Sequence, residues 1–125
     1  MFKRKFPLFF LGAAFLLFFA ASVSHAQTTF GSIVGNVTDA SGSAVPTTDV
    51  TLTNLGTNEK RIAATNSDGL YQFVNLPPGQ YSVGVEKAGF KRVLRSPVTV
   101  QTQTTIKIDL TLEVGEVTQT VEVTA

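Results

Sequence analysis

The stretch that decides the fold runs from Asn66 to Tyr81 and reads Asn-Ser-Asp-Gly-Leu-Tyr-Gln-Phe-Val-Asn-Leu-Pro-Pro-Gly-Gln-Tyr. Its residue types predict two strands, each preceded by a tight turn. Gly69 closes the first turn, because glycine adopts positive φ at no steric cost. The run Pro77-Pro78-Gly79 ends the first strand, since proline cannot donate a ladder hydrogen bond and Gly79 supplies the bend.

Three aromatic side chains stand out in this stretch. Tyr71 and Phe73 alternate with Gln72, and Tyr81 begins the next alternating run. A sugar-stacking platform is one interpretation of such residues. However, period-two spacing places them on the inward face of strands, and the chain has no Trp. We therefore expect Tyr71, Phe73 and Tyr81 to fill the core.

Short alternating segments separated by turn residues lie on both sides of this hairpin. None has the amphipathic length of a helix, which is about 10 to 12 residues. The pattern predicts an all-β fold, an antiparallel β-sandwich of about seven strands. The predicted strands are residues 33–38, 50–53, 60–65, 70–76, 81–86, 91–100 and 105–112.

Two of these segments carry more specific predictions. Residues 105–112 alternate without interruption over eight residues and are predicted to form one long strand. Residues 91–100 contain Lys91, Arg92, Arg95 and Pro97. Charges and proline commonly blunt an exposed sheet edge, so this segment is predicted to be an edge strand.

The first 26 residues have the layout of a helical signal peptide. Lys3, Arg4 and Lys5 precede an apolar run at residues 6–21, and Ser24-His25-Ala26 supplies small residues before a cleavage point. The run is shorter than the roughly 20 residues of a spanning helix, although an uncleaved anchor is the alternative. We expect cleavage after Ala26.

Removal of that segment changes the charge of the chain. The 125 residues carry a formal charge of +1, with ten basic and nine acidic side chains. Three of the ten basic residues lie within residues 1–26, so residues 27–125 are acidic overall. The basic balance is therefore a targeting feature, and we expect no nucleic-acid partner. The chain has no cysteine to form a disulfide.

The residues that carry reaction chemistry are sparse. His25, within the signal segment, is the only histidine, and without cysteine the usual zinc ligands and nucleophilic triads are missing. The turn Asn66-Ser67-Asp68-Gly69 lacks the acidic series of a calcium loop. We expect no catalytic, metal or cofactor-binding residues. The carboxylates are scattered along the strands and turns: Asp39, Asp49, Glu59, Asp68, Glu86 and Asp109.

Short motifs follow one another in order along the chain. They are Gly31-Ser32-Ile33-Val34-Gly35-Asn36-Val37-Thr38-Asp39, Gly42, Pro46, Val50-Thr51-Leu52, Thr65 to Phe73, Leu76 to Tyr81, and Gly89-Phe90. This series resembles the carboxypeptidase regulatory-like domain and covers roughly residues 31–112. Two mild departures are Leu70, where an aromatic is common, and Thr47-Thr48 in place of a small, glycine-containing pair. The resemblance implies a transthyretin-like β-sandwich.

The resemblance also implies a cellular role. In exported bacterial proteins such a domain often precedes the plug and barrel of a TonB-dependent outer-membrane receptor. We expect residues 27–112 to form the domain and residues 113–125 to be a connector towards a plug. The expected partner is that plug and barrel or another envelope protein, in the periplasm or outer membrane. The alternative is a free-standing secreted module that binds carbohydrate or protein.

Overall fold

The computed structural model describes residues 29–123, and the predicted signal peptide lies outside them. No helix among these residues has the length and apolarity to cross a membrane. They form nine strands: β1 (Gly31–Asp39), β2 (Asp49–Asn54), β3 (Lys60–Ala64), β4 (Leu70–Leu76), β5 (Gly79–Val85), β6 (Arg92–Val100), β7 (Thr105–Lys107), β8 (Leu110–Leu112) and β9 (Thr120–Val123).

The strands form two sheets packed face to face, which confirms the predicted all-β sandwich. The four-stranded sheet has the order β4-β1-β7. Strand β8 lies on the same side of β1 as β7 and pairs with the later residues of β1, from Val37 to Asp39. The five-stranded sheet has the order β3-β2-β5-β6-β9. Both sheets are mixed rather than purely antiparallel, because β7 and β8 run parallel to β1 and β9 runs parallel to β6.

The core lies between the sheets and contains the three predicted aromatics. Tyr71, Phe73 and Tyr81 are all buried, and the Tyr71 and Phe73 rings meet edge to face with their centroids 5.9 Å apart. Phe90 is half-buried against one end of this core. The side chains with least exposure are aliphatic: Ile33, Leu52, Leu76, Leu112, Val37, Val50, Val83 and Val100.

The prediction of one long strand at residues 105–112 is wrong. The segment divides at Ile108 and Asp109 into β7 and β8, both of which lie beside β1. Between them the Ile108 carbonyl accepts a hydrogen bond from the Tyr71 hydroxyl, and the Asp109 carboxylate accepts one from the Asn36 N–H. These side-chain bonds replace ladder bonds at the break. Ile108 is buried and Asp109 is exposed, so the alternation continues across it.

The prediction of an edge strand at residues 91–100 is wrong for residues 92–95. Strand β6 lies between β5 and β9, because β9 pairs with the segment from Arg92 to Arg95. Pro97 stands where the register between β5 and β6 shifts, a position that tolerates a residue without an N–H. Arg95 is opposite the buried Val83 and is itself half-buried.

The prediction of a central hairpin at residues 66–81 is wrong, because β4 pairs with β1 in one sheet and β5 pairs with β2 and β6 in the other. The turns of this stretch also differ in part from the prediction. Gly69 has a φ of 75°, as expected for the turn before β4. The turn before β5 is different, since the bend lies at Pro78, and Gly79 is the first residue of β5. Asn75, within β4, takes the left-handed conformation with a φ of 56° where the register with β1 shifts, and Asn tolerates this conformation better than most residues.

Candidate interaction surface

The carboxylates of residues 29–123 are dispersed over the surface. Within this range no three His, Cys, Asp or Glu side chains gather closely enough to hold a metal ion. Glu86 pairs with Arg92 at 3.1 Å, Glu113 with Lys91 at 3.8 Å and Asp109 with Lys107 at 3.7 Å. These exposed pairs are typical of a solvated surface, where each contributes little to stability.

Asp39 organises the turn that follows β1. Its Oδ1 atom accepts hydrogen bonds from the Ser41 hydroxyl at 2.5 Å, the Ser41 N–H at 2.9 Å and the Ser43 N–H at 3.0 Å. The Ser41 hydroxyl first, and then the neighbouring backbone N–H groups, lower the pKa of the Asp39 carboxyl below its usual value. This carboxylate is therefore occupied in holding its own turn.

The turn from Asn66 to Gly69 is a tight turn that passes from β3 in one sheet to β4 in the other, and not a hairpin turn, because β3 and β4 do not pair. The Asn66 Oδ1 atom accepts hydrogen bonds from the Asp68 N–H at 2.9 Å and the Leu70 N–H at 3.0 Å. The Asn66 N–H in turn donates to the Leu70 carbonyl. The side chain that a calcium loop would direct at a cation is thus bonded to the backbone.

The hydroxyl groups of the two core tyrosines bond to backbone carbonyls. Tyr71 donates to Ile108, and Tyr81 donates to the Pro77 carbonyl at 2.5 Å. Burial raises the pKa of both phenols. The Asp109 carboxylate adds to this shift at Tyr71, while Arg95 opposes it. Both rings are therefore neutral structural groups that hold turns and strand ends.

An apolar groove at one end of the sandwich is the first candidate for a contact surface. We call it the proline groove and define it by Leu55, Pro77, Pro78, Gln80 and Pro97. Its volume is about 720 Å³, and the Leu55 side chain is 44% exposed beside it. Exposed apolar surface of this kind is typical of protein contact sites.

The walls of the proline groove are fixed by hydrogen bonds. The Leu55 N–H donates to the Gln80 carbonyl at 2.9 Å and ties the β2–β3 turn to β5. The Asn54 Oδ1 atom accepts bonds from Gly56 and Thr57 and shapes that turn. A preformed groove requires little ordering on binding, which favours affinity.

A second concavity, the β3–β4 hollow, lies beside the edges of the two sheets. It has a volume of about 600 Å³, and its lining includes Ala63, Ala64, Leu70, Gln72 and Lys107. Small alanine side chains leave the space open, and Leu70 is half-exposed at its margin. The hollow combines the aliphatic side chain of Leu70 with the amide group of Gln72 and the ammonium group of Lys107.

The sequence prediction did not identify either concavity. The proline groove combines residues from the β2–β3 turn, the β4–β5 turn and β6, which are far apart in the chain. The available signal was Leu55, a large apolar residue within the polar turn 54–58. Its exposure followed only from the turn geometry. Lys91 and Arg92, which are adjacent in the chain, have separate acidic partners, Glu113 and Glu86.

Comparison with known proteins assigns the fold to a family. A sequence profile of the carboxypeptidase regulatory-like domain matches residues 32–113, more than half of the chain. The chain belongs to the carboxypeptidase regulatory-like domain family. This membership confirms the resemblance expected from the motifs between Gly31 and Phe90.

The chain is also similar to a transporter. TonB-dependent transporter Oar of Myxococcus xanthus is 33% identical over 114 residues, and the match covers 87% of this chain. It covers 10% of the transporter, so the chain spans about a tenth of the length of this relative.

Solved structures share the sandwich. The Bacillus anthracis TIE protein superposes with a TM-score of 0.59 at 24% identity, over 69% of this chain and 17% of that one. GBS52, the minor pilin of Streptococcus agalactiae, superposes with a TM-score of 0.57 at 12% identity, over 71% of this chain and 46% of that one. At these identities the likeness shows the fold alone.

Proposed function

We propose that the chain is a non-catalytic accessory β-sandwich domain of a TonB-dependent outer-membrane receptor, at its N-terminus on the periplasmic side. The observation that carries the proposal is the 33% identity to the transporter Oar over 87% of this chain. The match spans only 10% of that transporter, which is the size of one small domain of a much longer protein.

The expected partner is the plug and barrel of the receptor, or another protein of the cell envelope. The proline groove supports a docking role, because it is apolar, open and held by backbone hydrogen bonds. The proposed domain comprises residues 27–112, and the proposed connector comprises residues 113–125. Residues 120–123 of that connector form β9 on the five-stranded sheet.

The proposed location requires export. The signal peptide at residues 1–26, with cleavage after Ala26, accounts for delivery to the periplasm or outer membrane. N-terminal sequencing of the processed protein tests this step directly. The expected first residue is Gln27, and a mature chain that retains Met1 would contradict it.

The experiment that tests the function is to read the coding sequence beyond the Ala125 codon and to fractionate cells of the source organism. The proposal expects an open frame that encodes a plug and a barrel, with the product in the outer-membrane fraction. A stop codon directly after Ala125 would contradict the receptor assignment.

The docking role has a test of its own. A photo-crosslinking amino acid at Leu55 lies in the proline groove, whereas one at the exposed Thr111 lies on the four-stranded sheet. The Leu55 probe is expected to crosslink to the plug or barrel, and the Thr111 probe serves as the matched control. Equal crosslinking from both positions would argue against a specific groove.

The second candidate function is a secreted module that binds carbohydrate or protein. The β3–β4 hollow favours it, because Gln72 and Lys107 offer hydrogen-bond donors beside the aliphatic Leu70. A glycan array probed with the exported protein tests this candidate. Binding that is lost on Gln72→Ala would support it, and the absence of any bound glycan would leave only the protein-binding form.

A further inference from the structure

Strand β3 is an edge strand whose hydrogen-bond pattern is defined at both ends. The Asn54 N–H donates to the Glu59 carbonyl at 2.8 Å, and the Thr65 N–H donates to the Thr48 carbonyl at 2.9 Å. The register between β2 and β3 is regular from one end to the other. In an antiparallel ladder hydrogen-bonded residues alternate along each strand, so the odd-numbered residues of β3 bond to β2.

The even-numbered residues Lys60, Ile62 and Ala64 therefore direct their N–H and C=O groups away from the sheet. Within residues 29–123 no hydrogen bond occupies these six backbone groups. Their side chains lie on the outer face of the five-stranded sheet, and Ile62 is 66% exposed. Such a row of free groups is a template for another strand.

The edge of β4 differs from that of β3. Arg61 donates to the Val74 carbonyl at 2.9 Å and also bonds to the Asn75 carbonyl. At the other end of β4, Asn66 bonds to both backbone groups of Leu70. These contacts leave only the middle of β4 open.

The remaining edges of the described sheets are short. The β7–β8 edge is interrupted at Ile108 and Asp109, and each of these strands has three residues. Strand β9 has four residues. Among residues 29–123, β3 is therefore the edge that is regular, free of proline and open along its length.

The sequence of β3 is suited to pairing with itself. A twofold axis at Ile62 in an antiparallel pair sets Ile62 opposite Ile62 of a second copy, and Lys60 opposite Ala64. The free groups of the three even-numbered residues then pair with one another across the axis, which gives six backbone hydrogen bonds by the antiparallel rule. The two cations of the strand do not face their own copies.

The charges at the two ends of β3 also match in this arrangement. Asp49 of β2 is the cross-strand neighbour of Ala64, and both are exposed. Lys60 of one copy would lie beside Ala64 of the second copy, with Asp49 one strand further along. Adjacent strands are about 4.8 Å apart, so a lysine side chain can cross the alanine methyl to reach that carboxylate. The symmetry provides this contact twice.

We propose that two copies of this chain associate through β3, antiparallel about a twofold axis at Ile62, and join their five-stranded sheets into one continuous sheet. A five-residue strand spans about 17 Å. The contact is therefore smaller than the roughly 1,200 Å² of stable complexes, and the dimer is weak and depends on concentration. Two copies form an isologous contact that closes at the dimer.

The test is sedimentation equilibrium of the full chain, exported and purified, at concentrations from about 10 μM to about 1 mM, the range for weak association. The wild type is expected to dimerise. Ile62→Lys places like charges opposite each other at the axis and is expected to weaken association about tenfold or more. The matched control is Val114→Lys, since Val114 is 79% exposed and lies outside β3.

A charge exchange separates this register from other modes of association. Lys60→Asp alone and Asp49→Lys alone are each expected to weaken the dimer, and the double variant is expected to restore it. Urea melts of all variants show whether folding is retained, as expected for exposed positions.

Three outcomes would overturn the proposal. They are a monomer throughout the concentration range, equal dimerisation of Ile62→Lys and wild type, and failure of the double variant to recover. A monomer would leave the β3 edge to a strand of another protein. The inference does not depend on the receptor assignment, because it concerns the isolated chain and is measured without a membrane.

Discussion

At the scale of single residues, Tyr81 connects a turn to the core. Its side chain is only 3% exposed, and its hydroxyl donates to the carbonyl of Pro77, four residues earlier in the chain. The tyrosine corner of β-sandwiches uses the same kind of bond. The ring fills the core while the hydroxyl satisfies a carbonyl at the double proline, which explains a tyrosine rather than a phenylalanine at this position.

Substitutions at Tyr81 separate these two contributions. Tyr81→Phe removes only the hydrogen bond and is expected to cost about 1 kcal/mol of unfolding free energy. Tyr81→Ala and Phe73→Ala also remove a buried ring and are expected to cost about 3 to 5 kcal/mol. Urea denaturation measures each value, with the exposed Val114→Ala as control. A near-zero effect of Tyr81→Ala would show that the ring does not support the core.

Asp39 provides a prediction about pH. Its folded-state pKa lies below the model-peptide value of 3.8, so its contribution to stability is present above that pH and is lost as the pH falls through the folded pKa. An NMR titration of the carboxyl is expected to show this lowered pKa. Ser41→Ala removes the largest cause and should raise the pKa towards 3.8.

The matched control for Asp39 is Ser43→Ala. The Ser43 hydroxyl bonds to Ser41, while the Ser43 N–H that bonds to Asp39 remains after the substitution. The pKa should therefore change less than in Ser41→Ala. An unshifted pKa in the wild type would contradict the turn geometry.

At the scale of elements, β1 is the central strand of its sheet, and Gly35 determines how closely its neighbour approaches. A Cβ atom at Gly35 would lie 1.7 Å from the Ile108 carbonyl oxygen, a backbone atom that cannot move aside cheaply. The break between β7 and β8 thus depends on the absence of a side chain at this position. Periodicity could not reveal the break, because it reports which face a residue occupies and not its hydrogen-bond partner.

Gly35→Ala is the corresponding prediction. The clash is with backbone, so the cost is expected at the upper end of overpacking, about 3 kcal/mol or more. Gly79→Ala is the control, since a Cβ there meets no atom within 4 Å. Its effect is expected to be near zero or slightly stabilising, by about 0.4 to 1 kcal/mol. Similar losses in both urea melts would exclude close approach as the reason for Gly35.

Strand β6 shows why its edge assignment failed. Lys91, Arg92 and Pro97 are residue types that protect edges, but edge status depends on the rest of the chain. Strand β9 begins 28 positions after Arg92 and covers the first part of β6. A local pattern of charge contains no information about that later pairing. The position of Pro97 nevertheless suits a proline, because it lies at the register shift, where no N–H is needed for the ladder.

At the scale of the whole molecule, the sequence predicted the sandwich, its core aromatics and its family. Alternation predicted the burial of Tyr71, Phe73 and Tyr81. The residue types of Asn66 to Gly69 predicted a turn. The parallel pairings of β7, β8 and β9 were not predictable in this way, since parallel and antiparallel strands alternate alike. The proline groove likewise exists only once three distant segments meet.

The topology leads to a prediction about folding speed. Strand β1 pairs with β7 across 73 positions of the chain, from Ser32 to Thr105. Such distant pairing costs loop-closure entropy before its hydrogen bonds and packing contacts form. For this reason β-sandwiches fold in about milliseconds to seconds. Stopped-flow refolding from urea is the measurement. A refolding time of about microseconds, typical of local helical contacts, would contradict the topology.

The parallel direction of β9 determines where the described chain leaves the sandwich. Gly31, the first residue of β1, lies against Val100 and Gln101 at the end of β6. Because β9 runs in the same direction as β6, it points towards this end. A tether that passes through residues 29 and 123 would therefore enter the domain near the end of β6 and leave it in the direction of the same end. The domain adds bulk beside such a tether but little reach along it.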